Sequence, residues 1–338
     1  MKISEKLNVR SMHFSKLHAG MASEIRINFL IKLIDIIMVG EGILEPEDLS
    51  KDSSIALGKN ASAPHEHGIM RPLNLAELMT REVVSVIPEN TLYEAAQLMG
   101  EKRIGSLLVL KYDTPVGVIT ERDLLNVVSR GVKLEKDWIG GGTSIREEKV
   151  ESVMSFPVVK ICQDSSLKKA ARIMIEKRIR RLAVCDAGTV VGIITASDMI
   201  KSLPEAPENM KVWFQVDYFM AKQVVTVDEE LLVEKVAEVM AEKRVGGVIV
   251  TSQGKPKGIF TERDLLTKFL ATDKSLIAEV GNNCSSPLIT APIGMCVHEA
   301  AEIMTKNRIK RLPITKEKEL VGVLSARDLV EAYARAVT

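Results

Sequence analysis

Hydrophobic and polar positions along this chain change their period in a fixed order, and the order recurs. The run Val83-Val84-Ser85-Val86 reads as a short β-strand. Leu92, Ala95, Ala96 and Met99 then fall at i, i+3, i+4 and i+7, which predicts a helix with one apolar face. Thr91 and Glu94 supply a capping box at its start. Two further β runs, Leu107–Leu110 and Val116–Ile119, flank the turn-like stretch Lys111–Pro115. A second helix is predicted from Thr120, so the local order is β-α-β-β-α.

That order occurs four times. The segments Met79–Asp123, Met154–Asp198, Met220–Asp264 and Cys284–Asp328 align without gaps, each 45 residues long. Five positions hold one residue type in all four copies: Ala (96, 171, 237, 301), Met (99, 174, 240, 304), Arg (103, 178, 244, 308), Gly (117, 192, 258, 322) and Asp (123, 198, 264, 328). The copies alternate in kind. The first and third carry a glycine after the first helix (Gly105, Gly246) and the run TERDLL. The second and fourth carry a basic pair there, Arg180-Arg181 and Lys310-Arg311. An A-B-A-B order implies that the unit is a pair of unlike repeats, duplicated once. One repeat alone is too small to bury its apolar face, so pairing is expected.

The repeat order and its ending resemble the cystathionine β-synthase (CBS) domain family. The endings are GVITERD (117–123), GIITASD (192–198), GIFTERD (258–264) and GVLSARD (322–328). The resemblance covers about residues 71–338. It implies an α/β fold of four repeats paired into two pseudo-twofold modules, in a layout similar to the γ subunit of AMP-activated protein kinase. The first pair would span 71–206 (repeats 71–131 and 149–206) and the second 207–338 (repeats 207–272 and 278–338). It further implies clefts for adenosine-containing ligands such as AMP, ADP, ATP or S-adenosylmethionine, bound as regulatory ligands with no cofactor required.

Thr120/Asp123, Thr195/Asp198, Thr261/Asp264 and Ser325/Asp328 are the first candidates for ribose and phosphate contact. The same pattern is an N-cap signature, and the two readings are compatible, because free N–H groups at a helix N-terminus hold phosphate. The family uses this Asp for the ribose hydroxyls. Arg180, Arg181, Lys310 and Arg311 lie where the family places phosphate-contacting side chains, with Arg122, Arg263 and Arg327 as additional candidates. Ser85, Thr226 and Thr290 match a position that approaches adenine in the family, whereas Lys160 holds it in the second copy. The Arg found in every copy falls near a helix C-terminus, where a cation complements the dipole. The shared Met and Ala read as core.

Composition narrows the function. Hydrophobic residues make up 46% and charged residues 27% of the 338, as in a folded chain, and aromatics only 4%. Lys+Arg total 46 against 45 for Asp+Glu, a formal charge of +1, which argues against a nucleic-acid partner. Cys162, Cys185, Cys284 and Cys296 show no C-x-x-C spacing and read as reduced, buried thiols of a cytoplasmic protein, with no metal site. Ile25–Val39 is apolar but carries Arg26, Lys32 and Asp35, and reads as a helix rather than a membrane span. It belongs to an N-terminal extension, residues 1–70, with Met70 directly before the first repeat. His65-Glu66-His67 reads as solvated linker. Gly140-Gly141-Gly142-Thr143-Ser144 lacks the Lys of a phosphate loop and reads as a connector. No catalytic His/Cys/Ser constellation stands out. The expected protein is a non-catalytic sensor acting through a homodimer or a regulated partner; the rival reading is an oligomerisation scaffold with vestigial clefts.

Overall fold

The computed structural model describes residues 75–131, 144–201 and 214–336. The apolar segment 25–39, the histidines at 65 and 67 and the glycines 140–142 lie outside them.

A short helix, α1 (Leu75–Leu78), leads into the first repeat: β1 (Ser85–Val86), α2 (Leu92–Glu101), β2 (Ser106–Lys111), β3 (Thr114–Thr120) and α3 (Glu121–Ser129). The second repeat holds β4 (Lys160–Cys162), α4 (Leu167–Glu176), β5 (Arg181–Asp186), β6 (Thr189–Thr195) and α5 (Ala196–Ile200). The third holds β7 (Thr226–Asp228), α6 (Val233–Glu242), β8 (Gly247–Ser252), β9 (Lys255–Thr261) and α7 (Glu262–Leu265), which runs on as a π-helical turn over Leu266–Leu270. The fourth holds β10 (Ala291–Pro292), α8 (Val297–Lys306), β11 (Arg311–Lys316), β12 (Glu319–Ser325) and α9 (Ala326–Ala336). Each repeat forms its own three-stranded sheet, with a parallel pair followed by an antiparallel hairpin.

The expected β-α-β-β-α order is present, with one boundary moved. Lys111 and Thr114-Pro115 belong to strands, and only Tyr112 and Asp113 turn, both in the left-handed region at φ 50 and 59. That is the two-residue hairpin geometry matching strand twist. Pro115 is tolerated because the register shifts beside its partner Leu110, on an outer strand of the sheet.

The shared residues have separate tasks. Ala96, Ala171, Ala237 and Ala301 are buried where the first helix meets its sheet. The Met and Arg close the helix together. Arg103 N–H donates to Gly100 O and Ile104 N–H to Met99 O, and equivalent bonds form at Arg178/Ile179, Arg244/Val245 and Arg308/Ile309. This is a Schellman ending, and it puts all four Arg in the left-handed region at φ 54, where glycine is usual.

The shared Gly marks the pairing. A Cβ on Gly192 would lie 2.7 Å from Met79 Sδ and 2.9 Å from Thr80 O, and on Gly117 3.0 Å from Met154 Cγ and 3.3 Å from Ser155 O. Gly258 meets Cys284 and Ser285 in the same way, and Gly322 meets Met220 and Ala221. The residue opening each repeat therefore lies across the glycine of its sequence neighbour. Bridges Thr80↔Ile193, Val118↔Ser155, Ala221↔Val323 and Ile259↔Ser285 complete the exchange. Repeats one and two, and three and four, are thus joined along their strands.

The helical cores run the other way. One buried cluster combines Leu92, Met99, Leu124 and Val128 of the first repeat with Val233, Met240, Leu265 and Phe269 of the third. A second combines Leu167, Met174 and Met199 of the second with Val297, Met304, Leu329 and Tyr333 of the fourth. Helix α3 packs on α6, and α9 on α4 and α5. The cysteines depart from expectation: Cys162 is exposed and the other three are half-buried, because Cys162 and Cys185 lie near the ends of their strands, Cys284 in the segment leading into its repeat and Cys296 at a helix N-cap.

Candidate ligand site

In every repeat the last strand runs straight into the second helix, and the junction residue caps it. Thr120 donates from N and Oγ1 to Asp123 Oδ2 at 2.8 and 2.7 Å. Thr195 does the same to Asp198 at 3.0 and 2.7 Å, and Thr261 to Asp264 at 2.9 and 2.6 Å. In the fourth copy Ser325 N donates to Asp328 Oδ2 at 2.7 Å. Capping occupies Oδ2, so the other oxygen decides what each Asp has left to offer.

Here the copies separate. Oδ1 of Asp264 already receives Lys268 Nζ at 2.8 Å and Ser285 Oγ at 3.0 Å. Among the described residues, Oδ1 of Asp198 meets only the exposed Lys201, at 3.2 Å. Oδ1 of Asp123 and of Asp328 has no hydrogen-bond partner among the described residues. Burial pushes both of these carboxyls above the ordinary range, against the hydrogen bonds from Thr120 and Ser325.

A cavity of about 840 Å3 lies between the repeats, and all four line it. Thr120, Asp123, Thr195, Asp198, Ser325 and Asp328 face it, with Arg122, Arg180, Arg181, Arg263, Lys310, Arg311 and Arg327. Thr261 and Asp264 are not among the lining residues. Neither are Ser85, Thr226 and Thr290; their predecessors Val84 and Val225 line the cavity instead. Successive strand side chains point to opposite faces, so at Ser85 and Thr226 the side chain turned to the cavity is the one before. Arg103, Arg178 and Arg244 also line the cavity, although their sequence position spoke only of a helix end.

Two buried glutamates, unremarked in the sequence, organise the basic side chains. Glu262 of the third repeat, 2% exposed, pairs with Arg122 at 2.8 Å, Arg180 at 3.2 Å and Arg311 at 3.3 Å. Glu121 of the first repeat, 4% exposed, pairs with Arg263 and, at 3.5 Å, with Lys310. Arg181 donates from Nη1 to Gly105 O at 2.8 Å. The arrangement is reciprocal: each TERD glutamate holds the arginine of the other TERD and a basic residue of the fourth repeat.

The alternation of repeat types follows from this cluster. A Cβ at Gly246 would overlap the Arg311 guanidinium and lie 2.8 Å from Glu262 Oε2, and one at Gly105 would lie 2.9 Å from Glu121 Oε2. The first and third repeats supply the glutamate and the space; the second and fourth supply the basic pair. The recurring glycine and TER run were the visible signals, but burial of the Glu was not.

The charges are not balanced. Burial drives Lys310 down to about 8, with Glu121 opposing it, and Arg181 down to about 10, with Arg180 adding repulsion. Burial also lowers Arg311. Burial acts to raise Glu262, but Arg180, Arg311 and Arg122 outweigh it and hold the group at about 2. Burial is the first cause at each of these cations, and only at Glu262 do the neighbouring charges prevail over it.

A family model for the CBS domain matches residues 75–130, 150–205, 216–271 and 277–335, and the chain belongs to the CBS-domain family. It is 30% identical over 193 residues to an uncharacterized 33.4 kDa protein in the ribosomal RNA operon of Thermofilum pendens, covering 54% of this chain and 60% of that protein. It is 26% identical over 278 residues to the uncharacterized protein MJ1404 of Methanocaldococcus jannaschii, covering 76% and 61%. The chain thus spans about three fifths of the length of these relatives. Its fold is shared with protein MJ1225 of the same organism, described as a candidate archaeal homologue of γ-AMPK. The TM-score is 0.62 at 19% identity, over 77% of this chain and 99% of that one. Similarity to the inosine-5'-monophosphate dehydrogenase of Aquifex aeolicus, 29% identical over 180 residues, covers 34% of that enzyme. Among the described residues no helix is long and apolar enough to cross a membrane, and no cluster of His, Cys, Asp and Glu would hold a metal ion.

Proposed function

We propose that this chain is a non-catalytic regulatory sensor that binds adenosine-containing ligands between its repeats and signals to a partner by changing the repeats' relative orientation. The observation that carries the reading is the meeting of two kinds of group in one cavity. Half-free carboxylates at helix N-termini suit ribose hydroxyls, and a cation cluster suits phosphate. Asp123, Asp198 and Asp328 are the ribose-side groups, and Arg180, Arg181, Lys310 and Arg311 the phosphate-side groups. With its carboxylate fully engaged, Asp264 contributes no cleft of its own.

A ligand that spans two repeats favours the arrangement in which both of its ends are held. That differential affinity is what moves a population. Calorimetric titration of the full chain with AMP, ADP, ATP and S-adenosylmethionine tests the reading, and heat is expected for at least one. Asp123→Ala should weaken that ligand about tenfold or more, since a charged hydrogen bond contributes about 1.5–3 kcal/mol. No heat from any adenosine ligand favours the rival scaffold.

A further inference from the structure

The proposed function treats the cavity as a set of clefts; the charge cluster treats it as one site. Six cationic side chains, Arg122, Arg180, Arg181, Arg263, Lys310 and Arg311, converge from all four repeats and face the same cavity. Two carboxylates, Glu121 and Glu262, stand among them and do not line the cavity. With Arg103, Arg178, Arg244 and Arg327 added to the six cations, and Glu82, Asp123, Asp198 and Asp328 set beside the two glutamates, ten positive charges face six negative ones, and four lack a counterpart. The whole chain carries only +1, so this is a local concentration and not a general excess.

Geometry ties the cluster into a single body. Glu262 binds cations of the first, second and fourth repeats at once, so none of those side chains answers to its own cleft alone. An anion drawing Arg180 toward the first pair necessarily alters the field at Arg311 in the second. Five of the six cations are held by the buried glutamates and Arg181 by the Gly105 carbonyl, so all are pre-organised, which lowers the ordering cost of gripping a ligand.

We infer that the cavity holds one shared polyanion site, in which a single linear polyphosphate group of at least three negative charges is gripped at once by basic side chains of all four repeats. A nucleoside triphosphate and an inorganic polyphosphate present the same chain of phosphates. Glu121 and Glu262 are positioning residues: buried behind the cations, they fix the guanidinium and ammonium groups that meet the ligand. The inference rests on the phosphate half of the proposed function and extends it to the number and charge of the ligand.

The test is calorimetric titration of the full chain with inorganic tripolyphosphate, AMP and ATP in parallel. One tripolyphosphate per chain is expected. Arg180→Gln, in the first pair, and Lys310→Gln, in the second, should each weaken that one site about tenfold while stoichiometry stays at one. Two or more equivalents per chain, with each variant removing only its own share, would overturn the shared site. So would the absence of tripolyphosphate heat, or a variant that leaves the affinity unchanged. The AMP arm separates this outcome from the proposed function: AMP bound without tripolyphosphate supports the adenosine clefts and sinks the shared site. Tripolyphosphate bound one to one without any adenosine ligand does the reverse. Should one of the two variants fail to fold, the other still reads both stoichiometry and affinity.

Discussion

Glu262 gathers cations from three repeats, so its charge is structural as well as electrostatic. Replacing it with Gln keeps the shape and leaves Arg122, Arg180 and Arg311 without their countercharge. Breaking a buried pair in this way costs about 3–5 kcal/mol, and the melting temperature of Glu262→Gln at neutral pH should fall accordingly. The acid limb adds a signature that a general packing defect lacks. The carboxyl is held at about 2 from an ordinary 4.5, so between those values the unfolded chain binds a proton that the folded chain does not. Its contribution is complete above pH 4.5 and is lost as pH falls toward 2. Melting temperature measured across that window should therefore fall more steeply for the wild type than for the variant, and parallel curves would remove the assignment. This residue was hidden in the sequence for a physical reason: a Glu beside an Arg at a helix start reads as exposed, and only the approach of side chains from the three other repeats encloses it. The shared Asp, by contrast, was legible, because capping is a local interaction over three residues.

Elements explain what single positions do not. Most of the secondary structure was readable from periodicity and capping, since apolar faces at i, i+3, i+4, i+7 and a Thr before an acidic residue are local signals. The hairpin was read too long. Pro115 suggested a loop, yet an outer strand with a shifted register accommodates it. The helix ends were half-read. A cation near the C-terminus was expected, but not its left-handed backbone, because Arg in place of Gly conceals a Schellman ending. Three of those Arg reach the cavity, which the sequence position did not suggest. The glycine before β8 allows a direct check. Gly246→Ala places a Cβ onto the Arg311 guanidinium and beside Glu262, so the ion pair must move. Overpacking of this kind costs about 1–3 kcal/mol, and the affinity for tripolyphosphate should fall with it. Gly105→Ala, whose Cβ meets the Glu121 carboxylate at 2.9–3.2 Å, should do the same more mildly. Equal and negligible effects at both positions would mean that the glycines serve something other than the cluster.

At the scale of the whole molecule, the A-B-A-B order pointed to two pairs, and strand exchange across the shared glycines joins repeats one with two and three with four. What the order did not reveal is that the helical cores cross between the pairs, first with third and second with fourth. Like repeats meet through reciprocal helices: α3 of the first packs on α6 of the third, and α2 of the first on the π-helical turn of the third, so each cluster is built mainly from two like repeats. A fragment of residues 70–206 would therefore keep its strand exchange but expose two apolar faces. Exposed faces of that kind drive association. Because the first and third repeats share their sequence type, as do the second and fourth, a second copy of the fragment presents much the surface that the missing pair did. The natural closure is a twofold dimer, in which the same face meets itself. Light scattering on the isolated fragment should report a dimer whose circular dichroism matches that of the full chain, and dilution should melt structure and dimer together. A stable folded monomer would show that each pair carries a sufficient core, and would dissolve the argument that one cavity belongs to four repeats at once.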